Sequence, residues 1–214
     1  IERTRVALVE YADLIRETGA TAVRMVATSA TRDASNREDF FAMTREVLGA
    51  VITGAEAEVI TGDEEARLSF AGAVGELDSA RGPFVVVDLG GGSTEVVLGD
   101  ADGVHAAYST DIGCVRLTER CLHDDPPTAA QVAAAQEVAA DKIREALERV
   151  PVEQAHTWVG VAGTMTTLAA LAEALPEYDA ARVHLSRSPL PRLREVCNSL
   201  IAMPHPARAA LGPR

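Results

Sequence analysis

The sequence has no CxxC pair, and its three cysteines, Cys114, Cys121 and Cys197, are odd in number. A disulfide framework and a zinc site are thereby excluded, and a reducing cytoplasm is the expected compartment. No apolar run approaches the length of a transmembrane helix. The opening residues Ile1-Glu2-Arg3-Thr4-Arg5 lack the apolar stretch of a signal peptide, and the absence of a methionine there leads us to expect residues upstream. Positive charge is also scarce. Against 32 acidic residues stand 20 Lys and Arg, a net charge of −12. Such a chain repels nucleic acid and anionic membranes, so neither is expected as a partner. A polyanionic substrate would have to be held locally, by backbone N–H groups, an arginine or a bridging metal. The five histidines show no metal-type spacing and read as surface or ordinary strand residues.

What is present is globular. Of the 214 residues 47% are apolar and 24% charged, enough for a core and too apolar for a disordered chain. Helical spacing covers residues 2–18, with Gly19 as a stop. A buried strand is expected over 21–28, a polar turn over 29–36, and a helix over 37–50 with Phe40, Phe41, Val47 and Leu48 on its apolar side. A short strand at 57–60 and a capping turn at Thr61-Gly62-Asp63 lead into a helix over 64–77. Alternating strands and helices predict an α/β layer with parallel strands. The pattern breaks at Arg81-Gly82-Pro83, which divides the chain into domains of residues 1–82 and 83–214. Beyond it, strands at 84–88 and 95–99 read as a hairpin, and a third strand covers 104–110. Helices follow at 115–122 and 129–150, the second an Ala-rich crossover. A strand at 156–161, with Trp158 in the core, precedes a helix over 165–175. Ser188 as cap and Pro189 as first residue open the last helix.

The most specific run is Asp88-Leu89-Gly90-Gly91-Gly92-Ser93-Thr94-Glu95. Three successive glycines allow backbone conformations closed to other residues, so that several N–H groups can meet one anion. Asp88, at a strand end, can hold Mg²⁺ directly or through water. A glycine-rich hairpin turn with an incidental acid is the plainer alternative. Ala162-Gly163-Thr164 repeats the arrangement more weakly, where a helix N-terminus would suit an anion; a simple turn with a Thr cap would look the same. Glu64-Glu65 opens a helix after a strand, which serves the helix dipole or places a water-orienting base. Arg32 follows the first strand on the same sheet edge and could grip phosphate, or be a surface arginine.

Together these segments resemble the Ppx/GppA phosphatase family, the exopolyphosphatases and guanosine pentaphosphate phosphohydrolases. The resemblance runs through Ala27–Arg32, Thr61–Leu68, Asp88–Glu95, Asp111–Arg116 and Gly163-Thr164. It implies an α/β fold of two ribonuclease-H-like domains around a phosphate cleft, in the actin-like ATPase superfamily. It also implies Glu65 as the catalytic base, supported by Glu64, and Asp88 as the Mg²⁺ ligand, with Mn²⁺ as an alternative ion. Gly90, Gly91, Gly92 and Ser93 would form a phosphate loop backed by Glu95, faced by Gly163 and Thr164, with Arg32 on phosphate. Water would attack the terminal phosphoryl group of polyphosphate or guanosine pentaphosphate. Cys114 reads as a small packing residue, and a homodimer is a family expectation.

The family's opening strands, with an Asp-x-Gly-Ser/Thr-Asn-Ser type motif, are not found in this chain, nor is a later Gly-Gly-Gly turn before its end at Ala210–Arg214. We therefore expect a fragment whose first domain is incomplete and whose strand at 23–27 is an exposed edge. The rival reading is a catalytically silent polyphosphate- or nucleotide-binding module. A kinase of the same superfamily fits less well, because Glu-Glu-Ala-Arg marks the phosphatase branch.

Overall fold

The computed structural model describes residues 1–212, and of Ser29 the backbone alone. Two residues of the expected chain end, Pro213 and Arg214, lie outside the described residues. Contacts divide the chain into two compact units, Ile1–Glu65 and Ala66–Arg214.

In the first unit α1 (Glu2–Thr18) ends where Gly19 adopts a left-handed φ of 68°, a conformation that favours glycine. A short parallel pair, β1 (Met25–Ala27) and β2 (Ala57–Val59), is linked through α2 (Ser29–Arg32) and α3 (Arg37–Gly49). Leu8 and Ala12 of α1 pack with Met43, Val47 and Leu48 of α3 to make the core, with Met25 against it. Thr44 is fully buried and ties the layers together: its hydroxyl donates to the Phe41 carbonyl and accepts the Ala57 N–H. Two expectations change here. The strand expected over 21–28 shortens to three residues, and the polar turn contains the single helical turn α2. Val26, on the face turned from the core, stays exposed, and so does Val59 at the end of β2.

α4 (Gly62–Val74) starts two residues earlier than read from the sequence, because the Thr61 hydroxyl accepts the Glu64 N–H at 3.2 Å. The division between units falls within α4, ahead of the junction expected at Gly82-Pro83. The reason is packing: Ala66 and Phe70 are buried with Phe84, Val86 and Val97 of the following sheet.

That sheet has the order β5-β4-β3-β6. β3 (Phe84–Leu89), β4 (Thr94–Asp100) and β5 (Gly103–Thr110) form an antiparallel meander, and β6 (Thr157–Val161) returns parallel to β3. The return runs through α5 (Cys114–Cys121) and α6 (Ala129–Arg149), the latter opened by a capping box between Thr128 and Gln131. Strand alternation decides which side chains meet which layer. Val85, Val96 and Leu98 face Ala146 of α6 and Val150, while Phe84, Val86 and Val97 face Ala66 and Phe70.

The remaining helices are α7 (Ala162–Ala172), α8 (Ala180–Val183), α9 (Leu190–Ala202) and α10 (His205–Ala209). Pro189, not Ser188, occupies the cap position of α9, and no side chain caps it. Trp158, expected in the core, is 59% exposed. It sits on the edge strand β6, and α6 covers β5 at the other side of the sheet. Cys114 is exposed as well, at the first position of α5.

Candidate active site

In the first unit the chain reaches the carboxyl ends of β1 and β2 and turns into helices at both. The Arg32 guanidinium, in α2, donates to the Ile60 carbonyl just past β2 at 3.1 Å. Glu64 and Glu65 lie in the first turn of α4, where acids complement the helix dipole. Glu64 is engaged: Arg24 bridges its carboxylate and that of Glu58, each at 2.5 Å. Glu65 is half-buried, with its N–H on the Thr61 carbonyl. Three of the expected site residues thus share one strand-end region.

In the second unit β3 and β6 end side by side, since Asp88 pairs in register with Val161. The glycine loop leaves β3 and the turn into α7 leaves β6, so both expected loops stand on one sheet edge, where α/β proteins place ligands. Asp88 points to the α4 side of the sheet by alternation, and Ser69 of α4 donates to its Oδ2 at 2.6 Å. The carboxylate is half-buried.

Asp88, Glu95 and Ser109 form a row across β3, β4 and β5. Glu95 is only 1% exposed, and its Oε1 accepts the Ser109 hydroxyl at 2.7 Å. Burial pushes this carboxyl above its ordinary value of 4.5; hydrogen bonds from Ser109 and Ser93 pull the other way, and the charge of Asp88 pushes it further up. The sign follows. A carboxyl raised on folding binds more protons in the folded state, so its contribution to stability is lost as pH rises from 4.5 through the folded value. The melting temperature of Glu95→Gln minus that of the parent chain should therefore grow as pH is raised from about 4.5 to 8. A flat difference across that range would show that Glu95 is not raised.

The glycine loop does not work as its sequence suggested. Neither Gly90 nor Gly91 has a φ in the left-handed region. Their requirement is space: a Cβ on Gly90 would lie 3.2 Å from the Ser93 carbonyl oxygen, and one on Gly91 3.3 Å from Val115. The loop is closed by the Gly90 N–H donating to Ser93 O at 3.1 Å. It is gripped from behind by α5. The N–H of Cys114 donates to Gly90 O, those of Val115 and Arg116 to Gly91 O, and Arg116 Nε to Gly92 O at 2.8 Å. Thr94 completes the attachment through its hydroxyl on Ile112 O at 2.7 Å. Gly113 and Arg116 are thus parts of the loop's support that the sequence reading left out of the site. Their only sequence signal was membership of the Asp111–Arg116 segment.

Gly163 and Thr164 lie in the first turn of α7, not in a turn before it, because the helix begins at Ala162. Ala162 takes a φ of 70°, an unfavourable conformation for alanine that marks the sharp exit from β6. No side chain caps α7 at Val161.

Asp88 fits a magnesium ion of the kind held by one or two carboxylates, water and substrate phosphate. Among the described residues no group of three or more His, Cys, Asp or Glu could form a dedicated cage.

Two α/β units, each with loops and helix starts at the carboxyl ends of parallel strands, define an α/β protein of the actin-like ATPase fold. The chain belongs to the Ppx/GppA phosphatase family, whose model matches residues 1–213. Exopolyphosphatase 2 of Mycobacterium tuberculosis is 62% identical over 213 residues, taking in 100% of this chain and 66% of that protein. The guanosine-5'-triphosphate,3'-diphosphate pyrophosphatase of Photobacterium profundum is 34% identical over 158 residues, 74% of this chain and 31% of its own length. Among solved structures, an exopolyphosphatase-like protein superposes with a TM-score of 0.92 at 41% identity, covering 99% of this chain and 67% of that one. The Aquifex aeolicus PPX-GPPA enzyme does so with a TM-score of 0.78 at 35% identity, covering 97% and 66%. The chain therefore spans just under two thirds of the length of its mycobacterial relative. No described helix is long and apolar enough to cross a membrane.

Proposed function

We propose that the protein hydrolyses the terminal phosphoanhydride bond of inorganic polyphosphate, with Mg²⁺ as the metal and guanosine pentaphosphate as the second substrate to be tested. The observation that carries the reading is the shared strand-end edge of the second unit, where Asp88, the glycine loop and the start of α7 are neighbours. Polyphosphate is placed first because of the 62% identity to an exopolyphosphatase.

In this reading the glycine loop and the N–H groups opening α7 bind phosphate oxygens, since uncapped helix starts suit anions. Arg32 adds a cation. Asp88 holds the metal, which when bound neutralises phosphate charge. The family resemblance assigns to Glu65 the proton of the attacking water; the new P–O bond forms as the terminal P–O–P bond breaks in line. Orthophosphate and a chain shorter by one unit leave. Glu95, buried behind Ser93, keeps that hydroxyl oriented.

The test is phosphate release from polyphosphate and from guanosine pentaphosphate, with Mg²⁺ and after chelation. Metal-dependent release from polyphosphate is the expected result. A folded chain that binds polyphosphate and releases nothing would instead be a silent binding module.

A further inference from the structure

We propose that Arg116 is a positioning residue that sets the direction of the phosphate-loop N–H groups. The inference rests on the phosphate-binding reading of that loop. A helix start normally leaves its first N–H groups without intrahelical partners. At α5 those groups are turned inward: Cys114 donates to the carbonyl of Gly90, and Val115 and Arg116 to that of Gly91. The start of α5 therefore cannot itself receive an anion, and it acts as a clamp.

The clamp has a consequence at the opposite side of the loop. In a trans peptide the C=O of one residue and the N–H of the next point opposite ways. With the carbonyls of Gly90, Gly91 and Gly92 all directed at α5, the N–H groups of Gly91, Gly92 and Ser93 face away from it. Backbone donors fix the first two of these peptides. The third depends on a side chain, the Arg116 guanidinium on Gly92 O at 2.8 Å. A cationic donor on that carbonyl polarises the peptide and strengthens its N–H as a donor. In a chain of net charge −12, a positive group behind the loop also offsets the surrounding field.

The experiment titrates inorganic tripolyphosphate into the chain, Arg116→Ala and Arg116→Lys, following affinity by calorimetry and the loop amides by NMR. The expected result is that Arg116→Ala moves the Ser93 amide resonance in the free protein and weakens tripolyphosphate binding roughly 10-fold, the scale of one charge-assisted hydrogen bond. Arg116→Lys, which keeps a cationic donor, should recover part of both. A shift-free Ser93 amide in Arg116→Ala would overturn the positioning role even if affinity fell, since an arginine that only touched the anion would leave the free loop unchanged. Equal binding by all three proteins would overturn it as well. Absence of binding by the parent chain would overturn the phosphate-loop reading beneath it, a distinct failure.

Discussion

Glu65→Gln should lower phosphate release from polyphosphate by about 10²–10⁴-fold, the range over which general-base catalysis contributes. The substitution keeps the size of the side chain, replaces one accepting carboxylate oxygen by a donating NH2, and removes the basicity needed to take a proton. The neighbouring Glu64 carboxylate is engaged by Arg24. If Glu65 activates water, the loss falls on kcat with KM little changed, since nothing that binds substrate has been removed. Steady-state kinetics with a parallel thermal melt check this. A fall confined to KM, or a rate within a few fold of the parent, would move the base elsewhere.

Gly113→Ala should destabilise the second unit by about 1–3 kcal/mol, the usual cost of overpacking, and abolish binding of polyphosphate. Gly113 has φ −161°, extended backbone that any residue can adopt, so conformational freedom is not the reason for glycine. Close approach is. A Cβ there would lie 2.4 Å from both the carbonyl carbon and oxygen of Gly91 and 2.7 Å from Gly90 O. All three are backbone atoms, so no rotamer change relieves the clash, and either the loop or the start of α5 must move. Thermal melting and tripolyphosphate titration measure the two effects. Unaltered binding by a folded Gly113→Ala would mean that the loop's position does not matter for the anion.

Much of the local structure was legible in the chain. The helical period of residues 2–18 and the run after Thr128 give α1 and α6 almost to the residue. The apolar run at 84–88 and its glycine-linked partner give the β3–β4 hairpin. Such elements depend on neighbours a few positions away, which periodicity and turn chemistry record. The misreadings share a different cause. An apolar strand predicts a buried Trp158, yet its exposure depends on β6 being an edge. Cys114, in a family segment, is exposed rather than packed, and α4 buries Ala66 and Phe70 against strands that follow it.

The candidate site divides along the same line. The residue types at Arg32, Glu64, Glu65, Asp88 and Glu95, and the glycines between the last two, were set out by the sequence and by the family resemblance those motifs carry. So were the acidic balance and the strand–loop–helix order that puts the site at strand ends. Only the tertiary structure decided that Glu64 goes to Arg24, that Glu95 is buried, and that Gly90 and Gly91 sit where a Cβ would be crowded. It alone brought Gly113 and Arg116 behind that loop. The physical reason is distance along the chain. A register pair such as Asp88 and Val161, or a carbonyl at Gly92 accepting from Arg116, joins residues whose separation no local pattern encodes, and only the packed sheet with its helices fixes which of them meet.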